Sequence, residues 1–276
     1  MRRFPVSRKL GLFTFAAISG MLFISAGPAT ATHSWNGYHW SRASNPFTVT
    51  LGNNLSSNWT PYLNTAASDW GITSGACNNP QNPIRCTVAG GGSGSGRKCR
   101  ATAGRVEVCN GTYGNNGWLG IAQIWISGVH ITQGTVRVND TYFNTPQYNT
   151  PAWHSFVMDQ EVGHEFGLAH QDEDFNNADL LDACGRGSCM DYSADPTNNT
   201  KPNQHDYDEL VIIYSHSDGG LAVANATAAS GQNIDEDMED QSAWGSPVHF
   251  QSGRGDVYER DFGGGKKVLT RVLWAQ

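Results

Sequence analysis

The chain has 276 residues, 9 His, 6 Cys and a formal charge of −7. Charged residues are 16 % of it, against about 25 % in ordinary domains, and 32 Gly with 11 Pro promise many turns. The length suits one large domain or two small ones, and the acidic balance excludes a nucleic-acid binder acting through bulk positive charge.

Residues 1–31 read as a secretory signal. Arg2, Arg3, Arg8 and Lys9 form a basic start, residues 10–25 are mostly apolar, and Ala29-Thr30-Ala31 supplies a small-x-small cleavage site. The apolar run is short for a membrane span and is broken by Ser19 and Gly20. Cleavage after Ala31, or alternatively Ala26, removes four cations and no anions. After the Ala31 cut the mature charge is four units more negative than −7, at −11. The product is expected to be secreted, with no membrane segment left. Its expected organisation is a main domain over 32–218, a linker over 219–243 and a C-terminal β-hairpin extension over 244–276.

Along the mature chain, residues 58–70 carry Tyr62, Leu63, Ala66, Ala67 and Trp70 at helical spacing. The Gly/Ser-rich run 87–98 reads as a loop. Residues 105–109, 118–126 and 135–138 read as strands, and 156–166 as a helix stopped by Gly167. Residues 203–216 form a last helix, with His205-Asp206 capping its start. The Ala/Asn/Ser/Gly and acidic composition from 219 to about 242 reads as a linker. Beyond it, 256–261 and 266–274 alternate around Gly263-Gly264-Gly265 as a hairpin, which either packs on the main domain or stands alone.

All six Cys lie beyond residue 31, and an even count in an exported chain points to disulfides. Sequence proximity pairs Cys77 with Cys86, Cys99 with Cys109 and Cys184 with Cys189. No Cys-x-x-Cys pair favours a thiolate zinc site.

The chemically informative stretch is Gln160-Glu161-Val162-Gly163-His164-Glu165-Phe166-Gly167-Leu168-Ala169-His170. Positions 160 and 164 share a helix face. Gly167 allows the chain to turn back, so that His170 meets the same point. A zinc ion takes neutral imidazoles and keeps one position for water, and a neighbouring carboxylate can take that water's proton.

This stretch resembles the metzincin pattern His-Glu-x-x-His-x-x-Gly-x-x-His, with Gln160 where the first His belongs. Downstream, Ser188-Cys189-Met190-Asp191-Tyr192 resembles the family's Met-turn. The resemblance covers about residues 33–216 and is closest to a bacterial matrixin-like branch. It implies an α+β, zincin-like domain: a twisted mixed sheet with an active-site helix and a C-terminal helix. It further implies a secreted zinc endopeptidase. His164 and His170 would be ligands, Gln160 a third, Glu161 the base and Tyr192 an oxyanion donor. A protein or peptide substrate would pair along the edge strand 118–126. A monomer is expected, with no nucleic acid and no membrane as partner. Gln binds zinc more weakly than His, which leaves three readings. The Gln160 oxygen completes the site, or another group (His154 or one of Asp172-Glu173-Asp174) replaces it, or the scaffold no longer cleaves. The acidic triplet is otherwise a solvated loop or a calcium site.

Overall fold

The computed structural model describes Met1 and residues 33–92, 98–219 and 238–276. The expected signal peptide and most of the expected linker lie outside the described residues. The described residues from His33 onward form one compact unit. It is an α+β arrangement of a large mixed sheet and few helices, and among the described residues no helix is long and apolar enough to cross a membrane.

In chain order the strands are β1 (His39–Trp40), β2 (Phe47–Asn54), β3 (Ile84–Gly90), β4 (Val106–Gly111), β5 (Trp118–Ser127), β6 (His130–Asn139), β7 (Ser246–Gln251), β8 (Arg254–Gly263) and β9 (Lys266–Trp274). They lie side by side as β3-β2-β4-β6-β5-β9-β8-β7, with β1 beside β6. The pairs among β1, β2, β3, β4 and β6 are parallel, and those from β6 through β5, β9 and β8 to β7 are antiparallel. Residues 87–90, assigned to a loop by their glycine content, belong to β3, where parallel pairing with β2 supplies the hydrogen bonds that a loop would lack.

The helices follow local chemistry. The first, α1 (Thr60–Trp70), buries Leu63, Ala66, Ala67 and Trp70, as their spacing predicts. After the short α2 (Asp140–Phe143) comes α3 (Pro151–His164). It starts five residues earlier than its apolar pattern suggests. Thr150 caps it by accepting from the Trp153 N–H, and Pro151 occupies its first turn, where no N–H is needed. Nearly every side chain from Trp153 to His164 is buried between α1 and the sheet. The Trp70 indole donates to the Asp159 carbonyl at 2.9 Å and pins α1 to α3. The last helix, α4 (Gln204–Ile213), opens on a capping box between Asn203 and Asp206, in keeping with the capping role expected of Asp206.

Two disulfides are present, and only one matches sequence proximity. Cys99 joins Cys109, but Cys77 joins Cys184 across 107 residues, with Cα atoms 6.1 Å apart. Cys86 and Cys189 carry no disulfide. The pairs Cys77–Cys86 and Cys184–Cys189 are therefore corrected. Cys86 is fixed in β3 and Cys189 is buried before Met190, while the loop after α1 reaches the 182–186 turn, where Arg186 donates to the Cys77 carbonyl.

The C-terminal strands do not stand apart. Residues 246–274 form a three-stranded meander, and β9 pairs with β5 along Trp118–Ser127. Strand β5 is therefore internal to the sheet, not the edge expected to receive a peptide.

Candidate active site

The last turns of α3 present Gln160, Glu161 and His164, all buried. The chain leaves the helix through Gly167 at φ +89°, where a Cβ would stand 2.0 Å from the Tyr38 carbonyl oxygen. Only glycine fits, and the turn carries His170 back towards His164. Their Nε2 atoms are 3.1 Å apart.

The segment holding Met190 runs alongside. Gln171 N–H donates to the Met190 carbonyl at 2.6 Å, and Tyr192 N–H to the Asp172 carbonyl at 3.1 Å. Ser188 Oγ accepts from the Met190 N–H and donates to Asp206, which anchors this segment to α4. Gly163 of α3 comes so close to Met190 that a Cβ there would lie 2.6 Å from its sulfur. The Tyr192 ring packs on His170 with centroids 4.1 Å apart.

The hydrogen bonds around the imidazoles set their tautomers. His164 Nδ1 lies 2.8 Å from the Leu168 carbonyl, so Nδ1 carries the proton and the Nε2 lone pair faces His170. His170 Nδ1 has two competing neighbours: Glu173 Oε1 at 3.2 Å and Arg271 Nη1 at 2.6 Å. A proton on Nδ1 serves Glu173 and leaves Nε2 free to ligate. Acceptance from Arg271 puts the proton on Nε2 instead. Burial, aided by the nearby Arg271 charge, pushes both imidazoles well below the ordinary histidine range and keeps them neutral.

Several buried polar atoms here lack a protein partner. They are Gln160 Oε1, both Glu161 oxygens and the Tyr192 hydroxyl. Gln160 is held at its other end, where its Nε2 donates to the Cys189 carbonyl at 2.9 Å. The Glu161 carboxylate lies over β5, close enough that a Cβ at Gly120 would be 2.4 Å from Oε1. Burial raises its pKa well above the ordinary carboxylate value, opposed by Arg271. These features fit a zinc ion. With Zn–N distances of about 2.0–2.1 Å, two imidazole ligands of one tetrahedral ion stand about 3.3 Å apart. The unpartnered Gln160 oxygen, four residues before His164, offers a further donor.

His154 does not join this group. It sits in the first turn of α3 against Trp59 and Tyr62, ten residues and nearly three turns before His164. The acidic triplet divides. Glu173 turns to His170, while Asp172 accepts from the Asp174 N–H and from Asn177 within its own loop. The C-terminal meander completes the surroundings, and sequence reading missed its contribution. His249 links Glu173 to Asp256, with Nε2–Oε2 3.5 Å and Nδ1–Oδ1 2.7 Å, and Gln251 donates to the Glu173 carbonyl. Nothing local marks Arg271 as a neighbour of His170, 101 residues away. The contact follows from β9 lying beside β5. In comparisons with known proteins, no family model and no curated protein matches this chain.

Proposed function

We propose that the chain is a secreted, zinc-dependent endopeptidase of metzincin type. The observation that carries this reading is the 3.1 Å approach of the His164 and His170 Nε2 atoms beside the buried, unpartnered Glu161 carboxylate. The order of α3, the turn at Gly167, the Met190 segment and α4 supports it, and the two disulfides suit an oxidising exterior.

His164 and His170 would hold the ion, with Gln160 Oε1 as a third donor. A bound zinc would lower the pKa of a water and polarise the scissile carbonyl. Glu161 takes the proton from the attacking water oxygen and passes it to the leaving amine nitrogen. Neither of its oxygens has a protein partner, so both stand open to accept that proton. The Tyr192 hydroxyl donates to the oxygen of the tetrahedral carbon. Because β9 fills the β5 edge, a substrate strand pairs there only when the C-terminal meander has withdrawn. In Glu161→Ala, peptide hydrolysis should disappear while zinc stays bound. Undiminished hydrolysis would overturn the reading.

A second reading is favoured by the Gln160 side chain being held by the Cys189 carbonyl and by the occupied β5 edge. On it, the scaffold is a secreted binding module without catalysis. If the wild type takes up no zinc at His164 and His170, while Gln160→His gains both zinc and proteolysis, the second reading stands.

A further inference from the structure

A cleft that shares no lining residue with the His164–His170 pair opens where the starts of α1 and α3 meet the end of α2. Its volume is about 570 Å³, inside the range of about 300–1,000 Å³ usual for small-molecule sites. Trp59, Phe143 and His154 make its floor, all three buried. Tyr62, in the first turn of α1, is half-buried and is the one ring of the four with surface left to offer. The His154 ring sits at the centre of this group. Its centroid is 4.4, 4.9 and 4.8 Å from those of Trp59, Tyr62 and Phe143, so packing fixes its orientation.

His154 is 9 % exposed, and the peptidase reading gives it no part. Its Nδ1 lies 2.8 Å from the Thr150 carbonyl, so Nδ1 carries the proton and Nε2 presents a lone pair. Burial holds the imidazole below the ordinary histidine pKa and keeps it neutral. Among the described residues no donor reaches Nε2. That acceptor is satisfied only by water or a ligand in the cleft. The Asp140 carboxylate on the adjoining wall is already engaged at both oxygens. Oδ1 accepts from the Trp59 indole N–H at 2.8 Å, and Oδ2 from the Asn110 amide at 2.6 Å.

The mouth carries the exposed amides Asn58, Asn144 and Asn149, whose side chains have no hydrogen-bond partner among the described residues. Each offers a donor and an acceptor in one plane, which matches two neighbouring hydroxyls of a sugar ring. Among the described lining residues there is no Lys or Arg, so an anionic ligand would meet only the like charge of Asp140. An ammonium ligand, which only donates, would leave the amide N–H groups unused and compete with the two donors that Asp140 already has. We propose that this cleft binds a neutral sugar unit of a glycan, with His154 Nε2 and the three amides as polar contacts and the Tyr62 ring as the apolar one. One sugar hydroxyl donates to His154 Nε2, the amides bracket adjacent hydroxyls, and the C–H face of the ring lies on Tyr62. The inference does not rest on the peptidase reading, and its test reads no hydrolysis.

The test uses the full-length protein with three neutral trisaccharides as probes: cellotriose, maltotriose and tri-N-acetylchitotriose. Saturation-transfer NMR should detect at least one of them, with millimolar affinity or better by titration. His154→Phe keeps a ring in the aromatic group but removes the Nε2 acceptor, and should weaken that binding by about tenfold. Because His154→Phe also loses the bond to the Thr150 carbonyl, a second variant guards against misfolding. Asn144→Ala with Asn149→Ala alters only exposed side chains, and should also weaken binding by about tenfold while the thermal midpoint stays unchanged. Asn64→Ala, at an exposed position of α1 outside the cleft, should bind as the wild type does. Weakening confined to the cleft variants supports the proposal. Absence of transfer to all three sugars would overturn it, as would undiminished affinity in both cleft variants or an equal loss in Asn64→Ala.

Discussion

Replacing Gly167 by Ala tests how the candidate site is built. The backbone there has φ +89°, and the new methyl would stand 2.0 Å from the Tyr38 carbonyl oxygen, a main-chain atom that no side-chain rotation can move. The left-handed conformation alone costs an L-residue about 1–2 kcal/mol. Relieving the overlap requires moving the loop before β1 or the start of the His170 segment. That raises the expected total to about 3–4 kcal/mol, within the range for local strain and overpacking combined. Gly104 supplies the control, since its φ is +76° but nothing lies within 4 Å of its absent Cβ. Gly104→Ala should therefore cost only the conformational part. In thermal unfolding, about 3 kcal/mol in a chain of this size corresponds to a fall of about 6–12 °C. The movement would also draw His170 away from His164, so zinc uptake at that pair should weaken alongside stability. If Gly167→Ala lowered the midpoint no more than Gly104→Ala, the close approach to Tyr38 would not constrain this turn. The account of how His170 is returned to His164 would then be wrong.

Arg271→Ala removes the cation that competes with Glu173 for His170 Nδ1. Zinc affinity at the His164–His170 pair should rise by about tenfold, as measured by competition with a chromophoric chelator. Unchanged affinity would show that Arg271 does not govern the His170 tautomer. A second prediction concerns Asp206, whose carboxyl burial lifts from 3.8 to about 6 despite the opposing hydrogen bonds from Ser188 and Asn203. A carboxyl raised on folding contributes most stability below its unfolded pKa and loses that contribution as pH rises through the folded value. Between pH 4 and 7 this group should therefore remove about 2–3 kcal/mol from wild-type stability. Urea unfolding at the two pH values should show a smaller loss in Asp206→Asn. Equal losses in the two proteins would place the proton elsewhere.

Much of α3 and its exit was legible in consecutive residues. A 3.6-residue period puts Gln160 and His164 on one face, and a glycine is needed wherever the backbone must turn left-handed. The start of α3 was hidden because a Thr-Pro cap carries no apolar periodicity. Strand β2 was hidden because it is a run of mixed burial ending in Gly-Asn-Asn, whose pairing is supplied by β3 and β4. Strand β7 is exposed along most of its length, and its two alternating apolar side chains, Val248 and Phe250, are themselves exposed.

By itself the sequence determined what depends on neighbours within a turn or two: the caps, the helical faces and the spacing of Glu161, His164, Gly167 and His170. Tertiary structure alone decided which distant residues meet. It joined Cys77 to Cys184, laid β9 along β5 so that Arg271 reached His170, and brought His39, His130 and His216 to within 3.4 Å of Asp218. The physical reason is one of range. Backbone preference and side-chain spacing are properties of a few consecutive residues, whereas strand order is set by burial and hydrogen bonding summed over the whole sheet.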